Sequence, residues 1–169
     1  FLIPFIFTLV LLQFFKENKP QREGLLEHLK KHFDIASLLY CINDKANDTL
    51  YDQEIICYDG KTYIREEMEG LSFKINAKSF FQTNTEQAIA LYDIVKKFAH
   101  LTGKEHVFDL YCGVGSIGLY LSDESAKITG IELIPEAIED AAHNALLNDV
   151  HHAEYHTGDV GEFININHF

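Results

Sequence analysis

The stretch that decides the fold is "DLYCGVGSIGLYL", Asp109 to Leu121. Three glycines in it, Gly113, Gly115 and Gly118, form the pattern G-x-G-x-x-G. Glycine has no β-carbon, so such a turn lets the backbone approach a ligand closely, and the helix that follows points free N–H groups at anionic atoms. The stretch therefore predicts a nucleotide-binding turn between a strand and a helix.

The segments around this turn alternate between strand and helix patterns. "HVFDLYC", "KITGIEL" and "AEYHTGDV" favour strands, and "PEAIEDAAHNALLND" favours a helix with Pro135 in its first turn. An earlier helix is expected over "AIALYDIVKKFAHLTG", with Thr83 and Glu86 in capping-box spacing ahead of it and Gly103 as its stop. This alternation predicts a parallel βαβαβ sheet and an α/β, Rossmann-like fold.

The chain ahead of this region has a different texture. "GLLEHLKKHFD" predicts a short amphipathic helix, and "SLLYCI", "QEIICY" and "KTYIRE" predict strands of a small, largely antiparallel sheet. The dipeptide Asp59-Gly60 predicts a hairpin turn between the last two strands. We therefore expect two regions, a small α+β antiparallel region at 1–76 and a Rossmann-like region at 77–169.

The apolar opening "FLIPFIFTLVLLQFF" is shorter than the roughly 20 residues that a membrane-spanning helix needs. It contains Gln13 and has no basic region ahead of it. We therefore expect one or two buried strands here and no membrane association.

Composition limits the partners of this segment. Lys and Arg total 14 against 26 Asp and Glu, a net charge of -12, which disfavours nonspecific binding to phosphate backbones. The three cysteines are odd in number and far apart, so we expect no disulfide framework and a reducing, cytoplasmic location. His151, His152 and His156 lie near no cysteine, which favours solvated histidines over a metal site.

Acidic residues at the expected strand ends suggest the cofactor. Glu132 follows Gly113 by 19 residues, where a carboxylate can accept hydrogen bonds from both ribose hydroxyls. Asp109 and Asp159 would add negative charge at two more strand ends, which disfavours a pyrophosphate and suits the sulfonium and ammonium of S-adenosylmethionine. A non-catalytic module that binds NAD or another nucleotide remains the alternative.

Four motifs occur in an order and spacing that resemble the RNA (uracil-C5) methyltransferases: "SFFQTNTEQA", "DLYCGVGSIGL", "GIELIPEAIEDAAHNA" and "TGD". These enzymes make 5-methyluridine in ribosomal or transfer RNA with S-adenosylmethionine. The resemblance extends less sharply back to about "QFFKEN". It implies that 77–169 is the N-terminal half of a Rossmann-like methyltransferase domain, with uridine C5 in 23S ribosomal RNA as the expected acceptor. A methyltransferase with another acceptor is the alternative.

The resemblance also implies which residues bind the cofactor. It implies that Gln82 reaches the cofactor, that Tyr111 packs beside it, and that Gly113 and Gly115 admit its methionine part. Ser116 would offer a polar contact, Glu132 would lie by the ribose, and Asp159 would lie by the adenine.

The resemblance implies that the catalytic groups lie elsewhere. The family's mechanism uses a cysteine thiolate that adds to uracil C6 and a base that removes the C5 proton. In the family both follow the strand that ends near Asp159, so we expect them beyond Phe169 and expect this segment alone to be inactive. Cys112 belongs to the turn and is expected to be inert. Most of the RNA-binding surface is likewise expected outside this chain.

Overall fold

A computed structural model describes residues 8–45 and 49–167. Most of the apolar opening, residues 1–7, lies outside this range, and the remainder forms strand β1, Leu9–Phe14. Among the residues that the structure describes, no helix is long and apolar enough to cross a membrane. The strand expected in the apolar opening is thus confirmed for its second half, but its burial is not, because five of its residues are half-buried and Gln13 is exposed.

Contacts divide the chain into two compact units. The first contains the described residues up to Arg65 together with Asn76–Lys78. The second contains Glu66–Ile75 and the chain from Ser79 onward. The boundary expected between residues 76 and 77 stays a prediction, and the contacts assign the strand just before it to the second unit.

The first unit is built on a β-α-β crossover. Strand β1 runs parallel to β2, Ser37–Ile42, and helix α1, Lys19–His32, connects them. Strand β3, Ile56–Gly60, pairs antiparallel with the other edge of β2. Leu26 of α1 packs with Leu38 and Tyr40 of β2 in the core of this unit. The expected antiparallel character is therefore only partly correct, because the apolar opening adds a parallel strand.

The hairpin predicted at Asp59-Gly60 is wrong. Gly60 lies opposite Ser37, and a β-carbon built on it would be 2.2 Å from the carbonyl oxygen of Ala36, so its positive φ serves a close approach to β2. The next two strands, β4 (Tyr63–Met68) and β5 (Leu71–Asn76), form a separate two-stranded sheet.

The turn between β4 and β5 is Glu69-Gly70, with φ of 47° and 81°. Two successive positive φ angles are the geometry of the tight hairpin turn whose twist matches that of its strands.

The second unit carries the predicted parallel sheet. Its strands, in spatial order, are β6 (His106–Leu110), β7 (Lys127–Glu132) and β8 (Ala153–Thr157), and both pairs are parallel. Its helices are α2 (Thr85–Ala99), α3 (Ser116–Tyr120), α4 (Pro135–Leu147) and α5 (Val160–Asn167), and the sequence did not predict the last of these. The carboxyl ends of three parallel strands therefore meet at one edge, where ligands bind in sheets of this kind.

Helix α2 begins and ends differently from the prediction. Its N-cap is Asn84, whose side-chain oxygen accepts a hydrogen bond from the N–H of Gln87 at 3.1 Å, rather than Thr83 with Glu86. The helix ends before His100, which takes a left-handed conformation three residues ahead of Gly103. Asparagine is as good an N-cap as threonine, so the local signal was ambiguous by one residue.

Candidate cofactor site

The glycine-rich turn joins β6 to α3 through a run of left-handed backbone. Tyr111, Gly113 and Gly115 have φ of 61°, 54° and 78°. For glycine these angles cost little, but for an aromatic residue they store about 1–3 kcal/mol of strain, which concentrates at ligand-binding positions. The ring of Tyr111 is 73% exposed, so the strain directs it away from the core.

Glycine is present at positions 113 and 115 for two different structural reasons. A β-carbon built on Gly113 would meet only the carbonyl oxygen of Phe80, at 3.9 Å, so the space in front of it is open. A β-carbon on Gly115 would lie 2.9 Å from the hydroxyl of Tyr155 and 3.2 Å from Ala141. Gly113 thus leaves room for a ligand, whereas Gly115 is required by the protein's own packing, and its predicted ligand contact stays a prediction.

Glu132 closes the turn from the neighbouring strand. Its Oε2 accepts a hydrogen bond from the N–H of Gly113 at 3.2 Å. Its Oε1 accepts from the N–H groups of Leu133 at 2.7 Å and Ile134 at 3.1 Å. The structure therefore brings the predicted ribose carboxylate directly against the predicted cofactor turn.

Apolar side chains surround this carboxylate and turn. Phe80, Tyr111 and Leu133 are 73%, 73% and 61% exposed. Sequence reasoning missed Phe80 and Leu133, although they lie within the motifs "SFFQTNTEQA" and "GIELIPEAIEDAAHNA" that it used. Gln82 lies half-buried in the loop before α2, two residues after Phe80. Open space at Gly113, a fixed carboxylate and exposed apolar side chains fit a nucleoside cofactor.

Asp109 bonds within the protein, and its expected electrostatic effect on a ligand stays a prediction. Its side chain is buried, and Oδ2 accepts a hydrogen bond from the N–H of Gly118 at 2.8 Å. A β-carbon on Gly118 would be 3.0 Å from that oxygen, which explains the third glycine of the motif. Desolvation raises the pKa of Asp109 to about 6, against the smaller effect of this hydrogen bond.

The two remaining predicted contacts are already used within the protein. The hydroxyl of Ser116, the first residue of α3, shares a hydrogen bond of 2.9 Å with that of Tyr92. Asp159 lies two residues beyond β8, is exposed, and accepts from the N–H of Glu162 at 3.0 Å at the start of α5. Their roles toward a ligand stay predictions.

Cys112 has the environment of a packing residue. It is buried, and desolvation raises the pKa of its thiol, with the charges of Asp109 and Glu132 adding to the effect. A protonated thiol is a poor nucleophile. Of the clustered histidines, His152 bonds through Nε2 to the carbonyl of Ser122 at 3.0 Å.

Comparison with known proteins identifies the family. Residues 21–162 match the family model "tRNA (Uracil-5-)-methyltransferase". The chain belongs to that family. The resemblance proposed from the motifs is thereby confirmed, and so is S-adenosylmethionine as the cofactor of the family.

Curated relatives match most of the chain. A protein of Porphyromonas gingivalis named "Uncharacterized RNA methyltransferase" is 48% identical over 157 residues, which are 92% of this chain and 34% of the relative. A protein of the same name from Bacteroides thetaiotaomicron is 49% identical over 147 residues, or 83% and 32% of the two chains. The chain thus spans about a third of the length of the curated relatives that it matches.

Solved structures agree on the fold. Pyrococcus abyssi tRNA (uracil-54, C5)-methyltransferase, in complex with S-adenosyl-L-homocysteine, is 33% identical with a TM-score of 0.63, over 78% of this chain and 32% of that one. Methanocaldococcus jannaschii Trm5, in complex with adenosine, is 21% identical with a TM-score of 0.62, over 93% and 47% of the two chains. The second likeness shows the fold alone, and together they confirm the Rossmann-like methyltransferase fold.

Proposed function

We propose that this chain is the cofactor-binding part of an RNA methyltransferase that acts on C5 of uridine. The observation that carries the proposal is the carboxylate of Glu132 held against the N–H of Gly113, at a turn whose outer face is open. S-adenosylmethionine supplies an electrophilic methyl group when bound. Glu132 would accept from its ribose, and the exposed rings and aliphatic side chains around the turn would pack on its apolar parts.

The remaining site residues have proposed roles beside this pair. Gln82 would reach the cofactor from its loop, Ser116 would offer a hydroxyl at the start of α3, and Asp159 would lie near the adenine. Tyr111 would pack beside the cofactor, which its exposed ring supports.

The proposal assigns methyl acceptor chemistry to groups outside this sequence. The buried Cys112 is unsuited to add to uracil C6, because burial holds its thiol protonated. A cysteine thiolate and a base from the rest of a longer protein would activate the uridine. That longer protein is proposed to be cytoplasmic, with 23S ribosomal RNA as the acceptor. The alternative acceptor is tRNA, which the family description names.

Calorimetric titration of the chain with S-adenosyl-L-homocysteine tests the cofactor part. We expect binding by the native chain, loss of binding in Glu132→Ala, and binding retained in Glu139→Ala, a matched change at an exposed position of α4. NAD serves as the competing nucleotide. A folded chain that binds NAD as well as S-adenosyl-L-homocysteine, or neither, would overturn the assignment.

Methylation assays test the acceptor part. The chain alone should give no turnover on unmodified 23S ribosomal RNA or tRNA transcripts. The longer protein should methylate uridine C5 in one of the two, read by mass spectrometry of nuclease digests. Turnover by the chain alone would contradict the proposal that the catalytic cysteine and base lie outside this sequence.

A further inference from the structure

Three polar side chains lie one helical turn apart on the inner side of α4. They are Asp140 and Asn144 within α4 and Asn148, the residue that caps its C-terminal end, called here the α4 polar row. The first two are 0% exposed, and the third is half-buried. Buried polar groups cost stability unless they are hydrogen-bonded, so their partners show what this row does.

Asn144 links strand β5 to the glycine-rich turn. Its Oδ1 accepts a hydrogen bond from the N–H of Lys74 at 2.7 Å, and its Nδ2 donates to the carbonyl of Lys74 at 3.2 Å. The same Nδ2 donates to the carbonyl of Val114 at 3.2 Å. Val114 lies between Gly113 and Gly115, so one buried amide joins two backbone segments that are 40 residues apart.

The other members of the row bind the chain on the way to Gln82. Asn148 accepts from the N–H of Ser72 at 2.8 Å and donates to its carbonyl at 2.7 Å, as a neighbouring strand would. Asp140 accepts through Oδ2 from the hydroxyl of Ser79 at 2.7 Å. Ser79 precedes Gln82 by three residues. The row therefore contacts both the glycine-rich turn and the loop that leads to Gln82.

We propose that the α4 polar row positions the glycine-rich turn and the loop that carries Gln82 relative to each other, with Asn144 as its central positioning residue. This inference rests on the proposed function, because it concerns the same proposed cofactor site. A binding constellation must be held within about 0.5 Å by groups behind it, and a buried amide with three fixed partners does this for the turn. The row acts through the backbone and touches no ligand.

Asn144→Ala and Asn148→Ala form a matched pair that tests the proposal. Each removes three hydrogen bonds, two of them to β5, but only the first removes a bond to the turn. We expect Asn144→Ala to bind S-adenosyl-L-homocysteine about tenfold more weakly than the native chain. This is the effect expected when the turn loses one hydrogen bond that holds it in place. Asn148→Ala should change the dissociation constant by less than about threefold on the same scale.

A second readout separates positioning from general stability. In ¹H–¹⁵N spectra the amides of Gly113 and Gly115 should shift in Asn144→Ala and stay in place in Asn148→Ala. Ser79→Ala, at a half-buried loop position, removes the hydrogen bond to Asp140 and should weaken binding several-fold under conditions in which circular dichroism shows the variant to be folded. If Asn144→Ala does not fold, Ser79→Ala and its spectrum decide.

The outcomes distinguish this inference from the function on which it rests. No binding by the folded native chain refutes the proposed function. Native binding with equal losses in the two asparagine variants, or with Ser79→Ala unchanged, refutes the positioning role and leaves the function standing.

Discussion

Asp109→Asn should remove a pH-dependent cost from the folded chain. Burial raises the pKa of Asp109 from 3.8 to about 6. A raised carboxyl pKa means that the folded state favours the protonated form, so the stabilising effect is complete below pH 3.8 and is lost as the pH rises through about 6. A shift of roughly two units corresponds to about 3 kcal/mol in the free energy of unfolding. Asparagine keeps an oxygen that can accept from Gly118.

The assay is urea unfolding of the native and variant chains at pH 4, 5, 6 and 7, followed by circular dichroism. Because pH 4 lies just above the unfolded pKa of 3.8, the free energy of unfolding of the variant should rise by about 2 kcal/mol relative to that of the native protein between pH 4 and pH 7. Contributions from other carboxylates are present in both proteins and cancel in the difference. Asp149→Asn, at an exposed position, controls for the general effect of losing a negative charge. A native-minus-variant difference that is constant with pH would refute the reasoning.

Three further outcomes can be measured on the same chain. Gly130→Ala should lower the free energy of unfolding by about 3 kcal/mol, because its β-carbon would lie 2.5 Å from the ring of Tyr155. Gly158→Ala is the control, since a β-carbon there would meet nothing within 4 Å, and it should leave this free energy unchanged in the same urea assay. Tyr155→Phe should raise that free energy by about 1 kcal/mol, since it removes a buried hydroxyl without a hydrogen-bond partner, and a loss would contradict this. Hydrogen bonds from the backbone and side chain of Thr102 lower the pKa of Glu105 from 4.5 to about 2. The stabilising effect of this carboxylate is therefore present above pH 4.5 and is lost toward pH 2. In Glu105→Gln the thermal midpoint should fall less steeply than in the native chain as the pH is lowered through this range.

The parallel sheet could be predicted because its signals are local and repeated. Each of the three strands is followed by a helix start, and Pro135 does begin α4. The Asp59-Gly60 hairpin failed because a dipeptide reports only which φ angles are tolerated. The backbone of Gly60 meets Ala36, a contact across the sheet that no local pattern contains. The actual turn at Glu69-Gly70 was missed because glutamate is not typical of positive φ.

For the candidate site, the sequence predicted that Glu132 and Gly113 lie together, and it did not predict how the surrounding residues are arranged. Spacing alone related Glu132 to Gly113, and the structure joins them. Spacing could not reveal that Asp109 is buried and accepts from the N–H of Gly118, because a strand-end residue can point to either face of the sheet. The α4 polar row carries a signal that could have been used, polar residues at i, i+4 and i+8 of an amphipathic helix, but its partners depend on the tertiary fold.

Glu132 shows how an exposed turn can still be organised for binding. Two backbone N–H groups hold its Oε1 at 2.7 and 3.1 Å, while Oε2 has one longer bond of 3.2 Å, to Gly113. Because each carboxylate oxygen offers two acceptor sites, a ribose hydroxyl can donate to Oε2 without breaking the bonds that orient the group. The conformational entropy of fixing this side chain is then spent in folding and not in binding. A Glu132→Ala variant would lose the proposed ligand contact and the bond to Gly113 together. Asn144→Ala would disturb the turn and leave the carboxylate in place, so comparing the two variants separates ligand contact from organisation of the turn.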